Sequence, residues 1–374
     1  MDVTTHSVIL QFAICNLQSA IFSETRLHCM RVLIYEFVTG GGLYQLAPSD
    51  VAVQSLLREG RAMIRALAED FARLPDIQLA TLRDSRLDRF HLPPCTLHEV
   101  RQPDDEKHWL SRLASQCDWS VIIAPEFNRF LWDRCQLVER SGGRLLSPSS
   151  QLIAWASDKQ ETCRRWQLAG VPVPRSCLLH CGQSPPDDFA FPCVLKPPDG
   201  AGSLAVQRVD RESDLRSALW PTDPMRLEQF CAGIPCSTAI IGGPAGQVWL
   251  PPCRQTLSQD GRFSYLGGHV LCETDLRLRA ERLVAKAATI LRDLVGYAGI
   301  DFILGHAPDG SADVAIELNP RLTTSYIGLR HAVRENLAQV MLDLAQGKEV
   351  RVTRNPQRVH FDADGRVTCW ATGS

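Results

Sequence analysis

Several common functional signatures are missing from this sequence. It has no C-x-x-C pair, so neither a zinc ribbon nor a thioredoxin-type dithiol is written into it. It has no G-x-x-x-x-G-K-[ST] loop and no G-x-G-x-x-G turn, which removes the P-loop and the dinucleotide fingerprint. Apolar runs stay well short of the roughly 18 residues of a spanning helix, so no membrane partner is expected. Charge of one sign does not dominate: 40 Lys and Arg face 42 Asp and Glu, a net charge of −2. A nucleic-acid partner held by a basic face is therefore not expected. Internal repeats and low-complexity tracts are also lacking.

What remains is an ordinary globular composition, 45% hydrophobic and 22% charged over 374 residues. That length suits two or three domains at roughly 150 residues each. Cysteine is the exception, with 14 residues. They are scattered through expected helices and strands (Cys135, Cys163, Cys193, Cys253) in a long chain, unlike a secreted disulfide framework. Free thiols in a reducing cytoplasm are the expectation. Cys177, His180 and Cys181 are close in sequence, but no second pair at zinc spacing supports them. Residues 1–29 carry the moderately apolar stretch Val8–Ile21 without a basic lead or a small-residue cleavage site. They are expected to be an extension ahead of a native start at Met30.

From Met30 strands and helices alternate. Strands are expected at 31–38, 77–82, 96–100, 119–124 and 144–146. Helices are expected from a Ser49 cap to about Leu74, at 105–116 and at 129–140. This predicts a parallel sheet covered by helices on both faces, with ligands met at the carboxyl ends of its strands. Gly40–Gly42 and Ala124-Pro125-Glu126 fall at that mouth. Ser149–Gly170 reads as one helix. From 175 to about 272 the chain is strand-rich, which predicts an α+β lobe. An amphipathic helix is expected at Thr274–Val295, strands at 297–304 and 313–319, a helix at 331–346, and a hairpin over Val359–Trp370 turning at Asp364-Gly365. The expected division is 30–150 for a substrate domain, about 175–245 for a central lobe and 246–374 for a C-terminal lobe.

The most informative segment runs from Gly299 to Arg321. A hairpin centred on Asp309 puts Asp301 opposite Glu317, and directly opposed residues share a face. Asn319, two residues on, lies on that face too. Phe302, Leu304, Ile316 and Leu318 are expected to point into the core. Two facing carboxylates repel unless a cation lies between them. An Asp, Glu and Asn oxygen set suits Mg²⁺, with Mn²⁺ as a substitute, and Mg²⁺ commonly shares phosphate oxygens. Arg321 is placed to reach a phosphate or an acyl phosphate. Upstream, Phe191–Lys196 is an apolar strand ending in Lys, followed by the small-residue loop Pro197–Ser203, whose backbone N–H groups can approach phosphate. An edge strand with Glu228 follows.

These pieces in this order resemble the ATP-grasp superfamily of carboxylate–amine ligases, from about residue 150 to 347. The phrases that carry it are Ser157-Asp158-Lys159, Val171-Pro172-Val173-Pro174, the Lys196 strand and loop, Leu227-Glu228-Gln229-Phe230 and Glu317-Leu318-Asn319-Pro320-Arg321. The resemblance implies an α/β protein: two α+β lobes clamping ATP behind an N-terminal parallel domain. It implies that Lys159 and Lys196 contact ATP, that Gly200, Gly202 and Ser203 form a flap, and that Glu228, Gln229 and Phe230 read adenine. Asp301, Glu317 and Asn319 would hold Mg²⁺, with Arg321 and Lys196 steadying the reacting groups. The sequence departs from the family pattern after Gly233, where Ile234, Pro235 and Cys236 stand in place of a ribose-binding acid.

Shorter phrases, such as Arg58–Met63, Ala124-Pro125-Glu126 and Tyr265–Gly268, look like the tyramine–glutamate ligase branch of methanofuran-type cofactor biosynthesis. That branch implies L-glutamate as the carboxylate and tyramine or a relative as the amine. Candidate substrate contacts are Glu59, Arg61, Glu126, Arg254, Gln255 and His269. The competing expectations are another amino-acid ligase, a kinase of related fold, or an ATP-binding module without turnover. A homo-oligomer is compatible with all of them.

Overall fold

The computed structural model describes residues 29–46, 51–200 and 205–371. The expected extension, apart from Cys29, and the Ser49 cap lie outside the described residues, as do Gly202 and Ser203. Strands β1 (Met30–Glu36), β2 (Ile77–Asp84), β3 (Thr96–Val100) and β4 (Trp119–Ile123) form one parallel sheet in the order β3-β2-β1-β4. Helix α1 (Val51–Ala72) packs on the face bearing Val32 and Ile34. Helices α2 (Pro103–Ala114) and α3 (Phe130–Arg140) pack on the face bearing Leu33 and Tyr35. Burial on both faces is why β1 reads as a continuous apolar run. The strand expected at 144–146 is reduced to one bridge, Ser120 to Leu145.

The helix expected over 149–170 is two: α4 (Ser150–Ala156) and α5 (Lys159–Leu168). Asp158 makes the break, because its carboxylate accepts the N–H groups of Gln160 and Glu161 and so caps α5. Strands β5 (Ser176–Leu179), β6 (Cys193–Lys196), β7 (Gln207–Val209) and β8 (Met225–Gln229) form a small antiparallel sheet in the order β5-β8-β6-β7. The Glu228 strand, expected at an edge, is therefore an inner one.

The large sheet begins at β9 (Gly233–Gly243) and continues with β10 (Gly246–Trp249), β11 (Cys253–Leu257) and β12 (Tyr265–Val270). Helix α6 (Thr274–Ala287) follows and ends in a 3-10 turn at Ala288–Ile290, short of Val295. Then come β13 (Gly296–Gly305), β14 (Val314–Asn319), α7 (Tyr326–Ala332), α8 (Leu337–Ala345), β15 (Gln357–Asp362) and β16 (Val367–Ala371). The strand order is β14-β13-β9-β11-β12-β15-β16, with β10 on β9. Strand β9 pairs with β13 from Gly233 to Gly242, so the change of sheet comes at Gly233 rather than near 245. The helix expected at 331–346 is split as α7 and α8, because Asn336 caps α8 through the N–H groups of Ala338 and Gln339. The C-terminal hairpin turns at Asp364-Gly365 as expected, with Gly365 at φ 93.

The parallel domain is tied to the large sheet through α1 and α7. Asp70 on α1 accepts from Arg330 Nη2 at 2.6 Å and from the Tyr326 hydroxyl at 2.8 Å. Among the described residues the cysteines are free, and no helix is long and apolar enough to cross a membrane.

Candidate active site

A cleft of about 720 Å³ lies between the small and the large sheet, with Glu59 of α1 contributing to its wall. Its floor is the hairpin of β13 and β14. Asp301 is paired directly with Glu317, and Gly299 with Asn319. Asn319 Nδ2 donates to Asp301 Oδ2 at 3.1 Å, and Gln255 Nε2 donates to Oδ1 at 3.0 Å. One step further the register shifts, and Phe302 lies opposite Ala315. The shift leaves Ile316 as the extra residue of a β-bulge. Ala315 then takes the core place beside Phe302, Leu304 and Leu318, while Ile316 lines the cleft. That corrects the expectation that Ile316 faces inward.

Lys159 is the first residue of α5. Its Nζ lies 2.9 Å from Glu317 Oε1 and donates to the Gly200 carbonyl at 3.0 Å. The α5 cap therefore sets a cation over the carboxylate hairpin. Lys196 ends β6 and meets Glu228 Oε1 at 2.8 Å. Arg226, fully buried, holds the other Glu228 oxygen at 3.1 Å and also contacts Gln160 and Cys163. The Glu228 carboxylate is thus committed to two cations and is not free to read a base. The N–H groups of Gln229 and Phe230 already donate to Arg175 and Pro192 carbonyls. The Phe230 ring lines the cleft and offers a purine an apolar face; it packs against Phe263 with centroids 6.0 Å apart and lies under Arg208.

Arg321 extends from the end of β14 toward the parallel domain. Its Nε is 3.0 Å from Glu126 Oε1, an ion pair without an aligned hydrogen bond. Glu126 is buried just past β4, at the mouth of the parallel sheet, and stands behind Arg321 rather than on the cleft surface. Glu59 lines the cleft and accepts the Thr324 hydroxyl at 2.7 Å. Gln255 and Arg254 alternate on β11, so only Gln255 turns to Asp301. Arg254 pairs in register with His269, and its exposed side chain reaches only the cleft rim. His269 lies in a separate surface groove with Arg358, His360 and Trp370. Arg61 does not line the cleft; its guanidinium lies 5.5 Å from the Phe90 ring centre. Arg208, Arg226, Phe263 and Thr324 were not singled out by the sequence, and Tyr265 entered only within a family-like phrase, without a role. Only Arg226 carried a usable signal, since strand alternation puts it on the same face as Glu228, two residues on.

The electrostatics follow from burial. Desolvation and then the charge of Glu317 push the Asp301 carboxyl up to about 7. Burial would also raise Glu317, but Lys159 and Lys196 outweigh it and hold that carboxyl below its usual value. Burial raises Glu126 and Glu59, opposed by Arg321 in the first case and by the Thr324 hydroxyl in the second. This donor set fits a divalent cation. The repulsion that raises Asp301 is what a cation between the two acids would remove. Asn319, donating through Nδ2, keeps Oδ1 available. Among the described residues no group of three or more His, Cys, Asp or Glu is placed to hold a metal. The protein oxygens alone would leave coordination positions for phosphate and water, as Mg²⁺ prefers.

Comparison with known proteins gives concordant matches. Residues 156–325 match a family described as the ATP-grasp domain, and residues 77–153 match the pre-ATP-grasp domain. The tyramine–L-glutamate ligase of Methanocaldococcus jannaschii is 22% identical over 333 residues, 88% of this chain and 94% of that enzyme. A D-alanine–D-alanine ligase of Ralstonia pickettii is 28% identical over 46% of this chain and 56% of its own length. The solved L-amino acid ligase of Bacillus licheniformis superposes with a TM-score of 0.65 at 16% identity, covering 88% of this chain and 79% of that one.

Proposed function

Because the chain belongs to the ATP-grasp superfamily, we propose that it is an ATP-dependent ligase that joins a small-molecule carboxylate to an amine. The observation that carries this reading is the direct pairing of Asp301 with Glu317 beneath Lys159, with Asn319 and Arg321 on the same strand end. The similarity to tyramine–L-glutamate ligase over most of both chains supports the narrower reading, L-glutamate activated at its side-chain carboxyl and tyramine or a related amine as acceptor.

In the reaction the substrate carboxylate attacks the γ-phosphoryl group of ATP, giving an acyl phosphate and ADP. The amine nitrogen then attacks the acyl carbon, the C–O bond to phosphate breaks, and the nitrogen loses a proton. Mg²⁺ held by Asp301, Glu317 and Asn319 would supply charge neutralisation at the phosphates. Lys159 and Lys196 are positioned to hold phosphate oxygens once their carboxylate partners are shared with ligand. Arg321 orients the activated acyl group. Ile316 and Phe230 give the cleft an apolar lining beside these charged groups. Positioning and electrostatics therefore account for the rate, without a protein nucleophile.

The test is phosphate release from ATP, with product mass read across a panel of amines. Release that requires both L-glutamate and an amine supports the ligase. ATP binding without release under every acid and amine pair would instead make the chain a nucleotide-binding module.

A further inference from the structure

The buried carboxylates in and around the cleft have partners that account for them, with one exception. Lys159 matches Glu317, Lys196 matches Glu228, and Asp301 belongs to the proposed cation site. Glu36, deeper in the parallel domain, is satisfied by the N–H groups of Val38 and Thr39 and by the Thr39 hydroxyl. Glu126 has Arg321. Glu59 is different. It is only 9% exposed and lines the cleft, yet its two oxygens receive only hydroxyls, Thr324 Oγ1 at 2.7 Å and Ser55 Oγ at 3.4 Å. Among the described residues no Lys, Arg or His lies within ion-pair distance of it. Arg321 and Arg58 act on it only from beyond contact, and a buried carboxylate touched by two neutral donors is under-compensated unless a cation arrives with the ligand.

We infer that Glu59 receives the ammonium group of an amino-acid substrate, so that the cleft selects an acid carrying a free amine over its deaminated counterpart. This rests on the ligase reading above and names the feature by which its carboxylate substrate is chosen. Three neighbours favour an ammonium over a metal ion. The Thr324 and Ser325 hydroxyls and the Tyr265 phenol lie along the same wall, and an ammonium with three N–H donors can use hydroxyl oxygens as well as the carboxylate. Arg321, on the same wall, supplies the opposite charge for an anionic end of the same molecule. Glu59 and Arg321 together therefore match a zwitterion.

Gly60 shows that Glu59 has a fixed place. A Cβ at Gly60 would lie 2.5 Å from the Glu36 carboxylate, so α1 is seated on Glu36 at this turn and its neighbour Glu59 is held at the cleft wall.

The test is equilibrium binding to the protein loaded with a non-hydrolysable ATP analogue and Mg²⁺. The proteinogenic L-amino acids are screened, and the tightest is compared with its deaminated counterpart, for L-glutamate the diacid glutarate. The wild type should prefer the amino acid by about tenfold to a hundredfold, the range of a charge-assisted contact. Glu59→Gln, which keeps the shape and the hydroxyl partners, should remove that preference while leaving the nucleotide affinity unchanged. Thr324→Val, as a second variant, should weaken it severalfold. Equal binding of both acids by the wild type, no binding of any amino acid, or a preference retained in Glu59→Gln would overturn the inference. Failure of the ligase reading shows itself separately, as absence of phosphate release in the wild type.

Discussion

Asp301 and Glu317 face each other, half-buried in the cleft wall, and neither can lose its proton without the other feeling it. Glu317 ionises first, and Asp301 keeps its proton, its carboxyl moved from 3.8 to about 7. The sign is the reverse of a salt-bridged acid: the folded protein binds this proton more tightly than the unfolded chain does. Metal-free protein should therefore lose stability as pH rises from about 4 to about 7. A metal ion needs the deprotonated form, so Mg²⁺ affinity should rise by about tenfold per pH unit up to about pH 7 and level off above it. Calorimetric titration of the ATP complex with Mg²⁺ at about pH 6 and about pH 8 reads this directly, and equal affinities would contradict it. Glu317→Gln removes one oxygen charge and the partner of Lys159. It should lower turnover by at least about a thousandfold while leaving the melting temperature near that of the wild type. Near-normal turnover would remove the metal assignment.

At the scale of single elements, helix α1 offers the clearest case. Gly60 sits within it, where glycine alone costs about 1 kcal/mol relative to alanine. The Glu36 carboxylate explains it, since an added methyl would come to 2.5 Å from that group. Gly60→Ala should thus lower stability by about 1–3 kcal/mol despite the better helix propensity, seen as a lower urea midpoint. A raised midpoint would mean that Glu36 moves aside freely. Elements were legible in the sequence where their boundaries are local. The strand at Thr96–Val100 and the turn at Asp364-Gly365 stand where turn residues put them. The facing of Asp301 and Glu317 followed from hairpin arithmetic alone. What stayed hidden depends on side chains meeting at a distance or on one extra residue. Asp158 ends one helix and starts another inside an amphipathic run. The bulge at Ile316 moves a residue from core to cleft without any turn signal. Arg254 and Gln255 are neighbours in sequence, yet strand alternation sends only one to the site.

The assembly of the cleft depends on how the parallel domain is held against the large sheet. No motif announces this contact, because Asp70 and Arg330 are 260 residues apart. Both are nearly buried, and Arg330 reaches Asp70 and Glu69 together while Tyr326 and Asn336 bind the same end of α1. Glu59 and Glu126 reach the large sheet only because this joint fixes the domain that carries them. Arg330→Met should leave Asp70 as a poorly compensated buried charge and cost about 3 kcal/mol. The expected outcome in scanning calorimetry is a melting temperature lower by at least about 3 °C, with the single transition broadened or split as the parallel domain uncouples. In binding experiments the same variant should keep its ATP affinity, since Lys159, Lys196 and Phe230 belong to elements on the other side of the joint, and should lose affinity for the acid substrate. A variant that bound both ligands as the wild type does would show that the joint is structural only, and that the substrate wall is held in place by other contacts between α1 and the large sheet.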